Sequence, residues 1–328
     1  MFDIRLVLGS ADAEMEAIAR LAKEAGVLTI QATKDGRPVR PGEKADAPDV
    51  QTGDLWIEVR PANETLADGQ IIDHHDSDPH ASMPPKEFLQ ASSIGQLIVA
   101  LARLGKIPKS WHRGVGGMGE AGDLIASDEC DLETGEIALA VVELGDGWVA
   151  EIPFEYVAEA AADHCIGAAF ANKCPGIDPD PNEKFWKIII GSRRRTFAPD
   201  LSDERFSEIL GMSLETLFEA KDHPLLPGVA DLTDLEIDGP VVAATKEQYP
   251  SRFQFGPLVG SIAGRAYIVR IRLGSDEIGY RINAASTASI QAWLNGVGEQ
   301  LGCYPANAER PRNLFGVPAR GFAGGTAK

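Results

Sequence analysis

The residues with the greatest capacity for chemistry stand together in Asp73-His74-His75-Asp76-Ser77-Asp78-Pro79-His80, which holds three of the chain's six histidines and three acids. Carboxylates beside imidazoles suit Mn2+, Zn2+ or Fe2+ rather than Ca2+. Two such ions about 3.5–4 Å apart would activate water and neutralise the charge that develops on a phosphodiester during hydrolysis. The cluster follows the apolar Ile71-Ile72 directly, which reads as a short strand. Side chains at the carboxyl end of a buried parallel strand point into the crevice where α/β folds place their ligands.

Other candidates are scattered. Glu58 is a lone acid in the apolar run Leu55-Trp56-Ile57-Glu58-Val59. Burying it without a partner is costly, so a metal or an arginine is expected beside it. Asp163-His164 interrupts an alanine-rich helix read over 156–170. Asp12 and Glu14 open an earlier helix, where simple complementarity to the helix dipole also accounts for them. Cys165 and Cys174 are too far apart for the Cys-x2–4-Cys spacing of structural zinc and read as core thiols. Arg320 is the first choice for an anion contact, because the glycines around it let backbone N–H groups approach. Arg193-Arg194-Arg195, Arg252 and Arg265 are further candidates for gripping phosphate. The Gly-x-Gly-Gly-x-Gly string at 114–119 lacks a strand before it and an amphipathic helix after it, so it is not read as a dinucleotide fingerprint.

The elements that must position these groups follow from periodicity. Ile4–Leu8 reads as a strand, Gly9-Ser10 breaks it, and Met15, Ile18, Leu21 and Ala22 recur at helical spacing to Gly26. Val27–Ala32 completes a β-α-β unit, 34–53 reads as loop, and strands follow at 55–59 and 70–72. Ser92-Ser93 opens a helix that runs to Gly105, 114–135 reads as loop, and 137–144 with 148–152 reads as a hairpin. Cys174–Pro181 carries three prolines in eight residues and is the best linker candidate. Helices are expected over 183–223, strands at 240–243, 266–273 and 278–283, a helix through Ile290–Val297, and a glycine-rich tail. The fold class is therefore α/β, a mostly parallel-sheet domain over 1–175, a linker with connecting helices over 176–235, and a smaller α+β domain over 236–328.

Composition narrows the partners. The chain has 328 residues, 44% apolar and 24% charged, with 31 Lys+Arg against 49 Asp+Glu for a net charge of −18. Such a chain is repelled by nucleic acid polymers and anionic membranes. No run of about 18 apolar residues reads as a membrane span. The opening residues lack a signal-peptide pattern, so a cytoplasmic protein is expected.

The order of these pieces resembles the DHH phosphoesterase superfamily. The likeness rests on Ile72-Asp73-His74-His75, preceded by Leu6–Leu8 with Asp12-Ala13-Glu14 and by the strand with Glu58, and followed by Ser92-Ser93-Ile94-Gly95-Gln96-Leu97. It covers about residues 1–170. The resemblance implies metal ligands at Asp12, Glu14, Glu58, Asp73 and His74, with Asp163 favoured over Asp123 as the distal acid. It implies Asp73 and His75 as catalytic residues, His75 touching the scissile phosphate, and substrate contacts at His164, Arg320, Gly324 and Gly325. Leu8 falls where the family places a metal-binding His, and Glu58 where it places an Asp, so either one or two ions, Mn2+ foremost, are expected. The implied activity is hydrolysis of a phosphodiester or phosphomonoester in a nucleotide or short oligonucleotide. The alternative is a degenerate relative that binds nucleotide or metal without hydrolysis. The expected partner is a small phosphorylated substrate, and a homodimer is among the assemblies the reading allows.

Overall fold

The computed structural model describes residues 4–39, 43–46, 53–62, 66, 70–74, 80, 83–115, 122, 124–126, 140–145, 148–238, 258–273, 277–283, 285–306, 313–317 and 322–327. They fall into two compact units, Met1–Ser192 and Arg193–Lys328.

The first unit is built around β1 (Arg5–Leu8), whose Leu6, Val7 and Leu8 are all buried, as a central parallel strand requires. Helix α1 (Ala13–Glu24) follows and packs Met15, Ile18, Leu21 and Ala22 inward. It leads to β2 (Leu28–Gln31) on one flank of β1. A two-residue hairpin of β3 (Thr33–Lys34) and β4 (Arg37–Pro38) precedes β5 (Asp54–Ile57) on the other flank, and β6 (Ile71–Ile72) lies beyond β5. The sheet order is β2-β1-β5-β6, with every neighbour parallel. The chain thus leaves β1 to one side and comes back on the other. This switch opens a crevice at the carboxyl ends of β1 and β5.

Two features pin that edge. Arg5 makes a bidentate pair with the buried Asp54, Nε to Oδ1 at 2.8 Å and Nη2 to Oδ2 at 2.7 Å, at the first rung of the β1–β5 register. At the other end, a Cβ on Gly9 would lie 2.8 Å from the Ile57 carbonyl oxygen. Only glycine lets the chain leave β1 that close to β5.

Short helix α2 (Phe88–Ala91) and α3 (Ser93–Arg103) follow. Ser92 caps α3, its Oγ accepting from Gly95 N at 3.1 Å. Strands β7 (His112–Val115), β8 (Leu124–Ala126), β9 (Ala140–Gly145) and β10 (Trp148–Glu151) form an antiparallel sheet in the order β7-β10-β9-β8. The hairpin is as expected, whereas 114–135, read as loop, contributes β8. Helix α4 (Phe154–Phe170) packs on α1, where Tyr156 OH donates to Glu24 Oε1 at 2.8 Å. Helix α5 (Lys184–Phe197) carries the chain into the second unit.

The second unit contains α6 (Asp203–Glu219), β11 (Asp222–His223), β12 (Leu226–Asp238), α7 (Leu258–Ala263), β13 (Ala266–Arg272), β14 (Ile278–Asn283), α8 (Thr287–Ala292), α9 (Gly298–Gln300), β15 (Leu314–Val317) and β16 (Phe322–Ala327). One six-stranded sheet runs β11-β12-β13-β14-β16-β15, parallel only between β12 and β13. The architecture is therefore mixed α/β, with both parallel and antiparallel sheets. The expected strand at 240–243 lies outside the described residues. No described helix is long and apolar enough to cross a membrane.

Arg265 has a structural task in this unit. Its guanidinium donates to the carbonyls of Leu217, Phe218 and Ala220 at the end of α6, and to Asp222 Oδ1 at 2.9 Å. It therefore satisfies helix-end acceptors that α6 leaves open, rather than gripping an anion. Replacing it, Arg265→Ala, is expected to lower stability by about 1–2 kcal/mol in urea unfolding, the usual scale for a lost cap with charge-assisted bonds. A change below about 0.3 kcal/mol would show the cap to be idle.

Candidate metal centre

Four acidic and imidazole side chains from four separate elements meet in the first unit. Glu14, Glu58, His74 and Asp163 each offer one ligand atom, and these atoms all lie within 4.8 Å of one another. Glu14 comes from the first turn of α1, Glu58 from just after β5, His74 from just after β6, and Asp163 from α4. Three of these elements leave or follow the carboxyl ends of parallel strands, as the sheet topology demands of a ligand site.

The backbone is bent to bring them in. Glu58 has φ +53°, a left-handed conformation that costs a non-glycine residue of order 1–3 kcal/mol and collects at functional sites. Its own N–H stays tied to Ile72 O at 2.9 Å. On α4, the helical path breaks at Cys165 (φ −153°, ψ 50°), two residues beyond Asp163. Cys165 Sγ there lies 3.2 Å from Cys174 Sγ, both thiols being free.

The contacts inside the cluster are close. His74 Nε2 lies 2.8 Å from Asp163 Oδ2 and 3.8 Å from Glu58 Oε1, and His74 Nδ1 lies 4.0 Å from Glu14 Oε2. The amino end of α3 faces the group. Ile94 N donates to Glu14 Oε1 at 3.0 Å, Ser93 N to His74 Nδ1 at 3.2 Å, and Ser93 Oγ to Glu58 Oε1 at 2.7 Å.

Glu14 is the least satisfied member. It is 1% exposed, and its Oε2 has no hydrogen-bond partner among the described residues. Burial, with the negative charges of Asp163 and Glu58 beside it, holds its carboxyl well above the usual carboxylate range. Three carboxylates, one of them with a buried oxygen that lacks a donor among the described residues, make a site that could hold a cation. Three oxygen ligands and one imidazole fit Mn2+, Fe2+ or Zn2+.

The other expected site residues lie as follows. Asp12 caps α1, its Oδ1 accepting from Met15 N at 2.9 Å, and stands outside the group of four. Asp73 precedes His74; its carbonyl accepts from Gln96 Nε2 at 2.9 Å, and its carboxylate is not one of the four. His164 lies beside the cluster, its ring edge-on to His74 at 6.0 Å, with Nε2 donating to Met83 O at 3.0 Å. Gly324 and Gly325 lie on β16 in the second unit, buried. A Cβ there would meet Tyr280 O or Cys303 Sγ at 2.6 Å, so packing alone requires glycine at both. Arg194 donates to Leu201 O at 2.9 Å and to Asp203. His75, Arg320, Asp123 and Arg252 lie outside the described residues.

Sequence reading missed Ser93 as a site residue. Its signal was the doublet Ser92-Ser93: one serine caps a helix, and the second is left without a purpose at a position that is fully buried.

No family model matches the chain, and no curated protein sequence matches it either. Among solved structures it is similar to the pGpG-specific phosphodiesterase PggH from Vibrio cholerae, at 12% identity and a TM-score of 0.38, over 100% of this chain and 93% of that one.

Proposed function

We propose that this chain is a metal-dependent phosphoesterase of the DHH type, acting on the phosphate of a nucleotide or short oligonucleotide. The observation that carries the reading is the convergence of Glu14, Glu58, His74 and Asp163 on one buried point at a strand-end crevice. These four residues would hold a divalent cation, which would supply Lewis acidity toward water and the phosphate.

The protein's own groups prepare the rest. Glu58, Asp163 and Glu14 concentrate negative charge at one place, and the α3 backbone N–H of Ile94 fixes one Glu14 oxygen so that the other faces inward. Gly9 lets the chain leave β1 in close contact with the Ile57 carbonyl, just before Glu58. Asp73 and His75 adjoin the site in sequence; the resemblance makes Asp73 a metal ligand and catalytic residue and gives His75 the contact with the scissile phosphate. Among the described residues, the four ligand atoms form a set sized for one ion. Leu8 is buried and apolar, and the Asp12 carboxylate is taken by the α1 cap, so neither adds an inward ligand.

That economy of ligands also favours a second reading, a protein that holds an ion and a nucleotide without cleaving it. One experiment separates the two. Metal analysis of the purified protein, with Mn2+ in the buffer, is expected to give one equivalent, and hydrolysis of a generic phosphodiester and of a dinucleotide panel is expected to follow. His74→Ala should lose the ion and at least about 100-fold in rate, the scale for loss of a metal-site group. Bound ion with no hydrolysis across the panel would support the binding-only reading. No bound ion would overturn both.

A further inference from the structure

We propose that Ser93 is the positioning residue that sets the proton of His74 and ties His74 to Glu58. The inference rests on the metal centre proposed above and deepens it. Ser93 is fully buried at the start of α3 and meets two of the four ligands with two different groups. Its backbone N–H donates to His74 Nδ1 at 3.2 Å, its hydroxyl donates to Glu58 Oε1 at 2.7 Å, and the same Oγ lies 3.5 Å from His74 Nδ1.

The chemistry of imidazole gives this pattern its meaning. A ring nitrogen that accepts an N–H bond carries a lone pair, so the neutral ring bears its proton on the other nitrogen. With Nδ1 accepting from Ser93 N, that proton is on Nε2. Yet Nε2 is the nitrogen turned toward Asp163 and Glu58, at 2.8 and 3.8 Å. For Nε2 to serve as a ligand, the ring must carry its proton on Nδ1 instead, and a ligating imidazole donates that proton to a nearby acceptor.

Ser93 supplies the acceptor without any change of residue. Its Oγ has lone pairs free to receive Nδ1–H while its own hydrogen stays on Glu58 Oε1. A small ring rotation exchanges the Ser93 N–H for the Ser93 Oγ. The result is a chain, His74 Nδ1–H to Ser93 Oγ and Ser93 Oγ–H to Glu58, which fixes two ligands through one hydroxyl. The backbone half of the arrangement survives Ser93→Ala, whereas the hydroxyl half does not. The two tautomers therefore respond differently to the same variant.

The test uses Mn2+ calorimetry on the wild-type chain, Ser93→Ala and Ser93→Thr, with the His74 ring nitrogens followed by 15N NMR with and without Zn2+. Wild type is expected to show the proton on Nε2 without ion and on Nδ1 with Zn2+. Ser93→Ala is expected to keep the metal-free tautomer, and its thermal unfolding without metal checks that it is folded. It should bind Mn2+ about 10- to 100-fold more weakly, the scale for loss of an outer-sphere partner. Ser93→Thr, which keeps the hydroxyl, should restore binding to within about threefold of wild type. Folded Ser93→Ala binding Mn2+ as tightly as wild type would overturn the inference, as would a Thr variant no better than Ala. So would a His74 proton that stays on one nitrogen in both states. If wild type itself takes up no ion, the metal centre fails and the inference fails with it, an outcome distinct from the others.

Discussion

Glu14→Gln is expected to move stability and ion binding in opposite directions. Without metal, the variant should be the more stable protein at pH 8, by about 1–3 kcal/mol, the usual scale for relieving a buried group that lacks its partner. With metal, it should bind at least about 100-fold more weakly and lose the stabilisation that the ion gives wild type. The cause is local. The Glu14 carboxylate is 1% exposed, shares its surroundings with Asp163 and Glu58, and leaves Oε2 with no hydrogen-bond partner among the described residues. Gln keeps the acceptor for Ile94 N and removes the charge.

The sign of the pH dependence follows from the raised carboxyl. Burial, then the charges of Asp163 and Glu58, hold the Glu14 proton in the folded state to a higher pH than in the unfolded chain, where it leaves near pH 4.3. Below that pH both states are protonated and the folded state keeps its full stability. As pH rises from there through the raised folded value, the unfolded chain ionises first and metal-free stability falls, by at most about 1.4 kcal/mol per pH unit from this group. A saturating ion reverses the loss, since about 1,000 Kd of ligand contributes about 4 kcal/mol. Urea unfolding at pH 5 and pH 8, with chelator and with Mn2+, measures all four corners. A Gln variant that is less stable than wild type at pH 8 with chelator, or that gains as much from Mn2+, would show Glu14 to be an ordinary buried acid.

How much of this was legible in advance depended on whether neighbours in space were neighbours in sequence. The parallel β-α-β start, a strand leading to Glu58 (read at 55–59, found at Asp54–Ile57), the helix after Ser92 and a hairpin (read at 137–144 and 148–152, found at Ala140–Gly145 and Trp148–Glu151) all follow local periodicity. Strand β12 did not announce itself, and most of it falls in the stretch read as linker and connecting helices over 176–235, where Pro227-Gly228 and the acids Asp231, Asp234, Glu236 and Asp238 interrupt the apolar pattern. Pro227 stands near the strand's start, where a missing N–H is tolerated. Asp231 turns its side chain back on Thr233 N at 3.0 Å, within a stretch where the pairing to β13 shifts register. In the site, residue types were readable and geometry was not. Glu58 was suspect because a buried acid needs a partner, yet nothing local foretold its positive φ. Asp12 and Glu14 looked equivalent two residues apart, but helical geometry turns one back to the α1 backbone and the other inward. Ser93 was hidden by Ser92, since one cap already accounted for a serine there.

The same helix start yields the largest expected loss of stability. Gly95→Ala should cost about 3 kcal/mol or more, while Gly211→Ala, also inside a helix, should gain about 0.5–1 kcal/mol. Intrinsic propensity predicts a gain at both positions, because alanine holds a helix better than glycine. Space decides otherwise at one of them. A Cβ on Gly211 of α6 meets nothing within 4 Å, whereas a Cβ on Gly95 would fall 1.6 Å from the Leu89 carbonyl oxygen and 2.7 Å from its carbon. Leu89 is a buried backbone position in α2, and its carbonyl also accepts from Ser92 Oγ at 3.1 Å, so no flexible side chain can yield. The start of α3 must move instead, and with it go Ser93 and Ile94, which hold His74, Glu58 and Glu14. Gly95→Ala should therefore weaken Mn2+ binding as well as folding, and Gly211→Ala should leave Mn2+ binding unchanged. Equal signs for the two variants in urea unfolding would mean that α2 and α3 do not approach this closely. A Gly95→Ala protein that unfolds early yet binds Mn2+ normally would mean that the start of α3 does not organise the ligands.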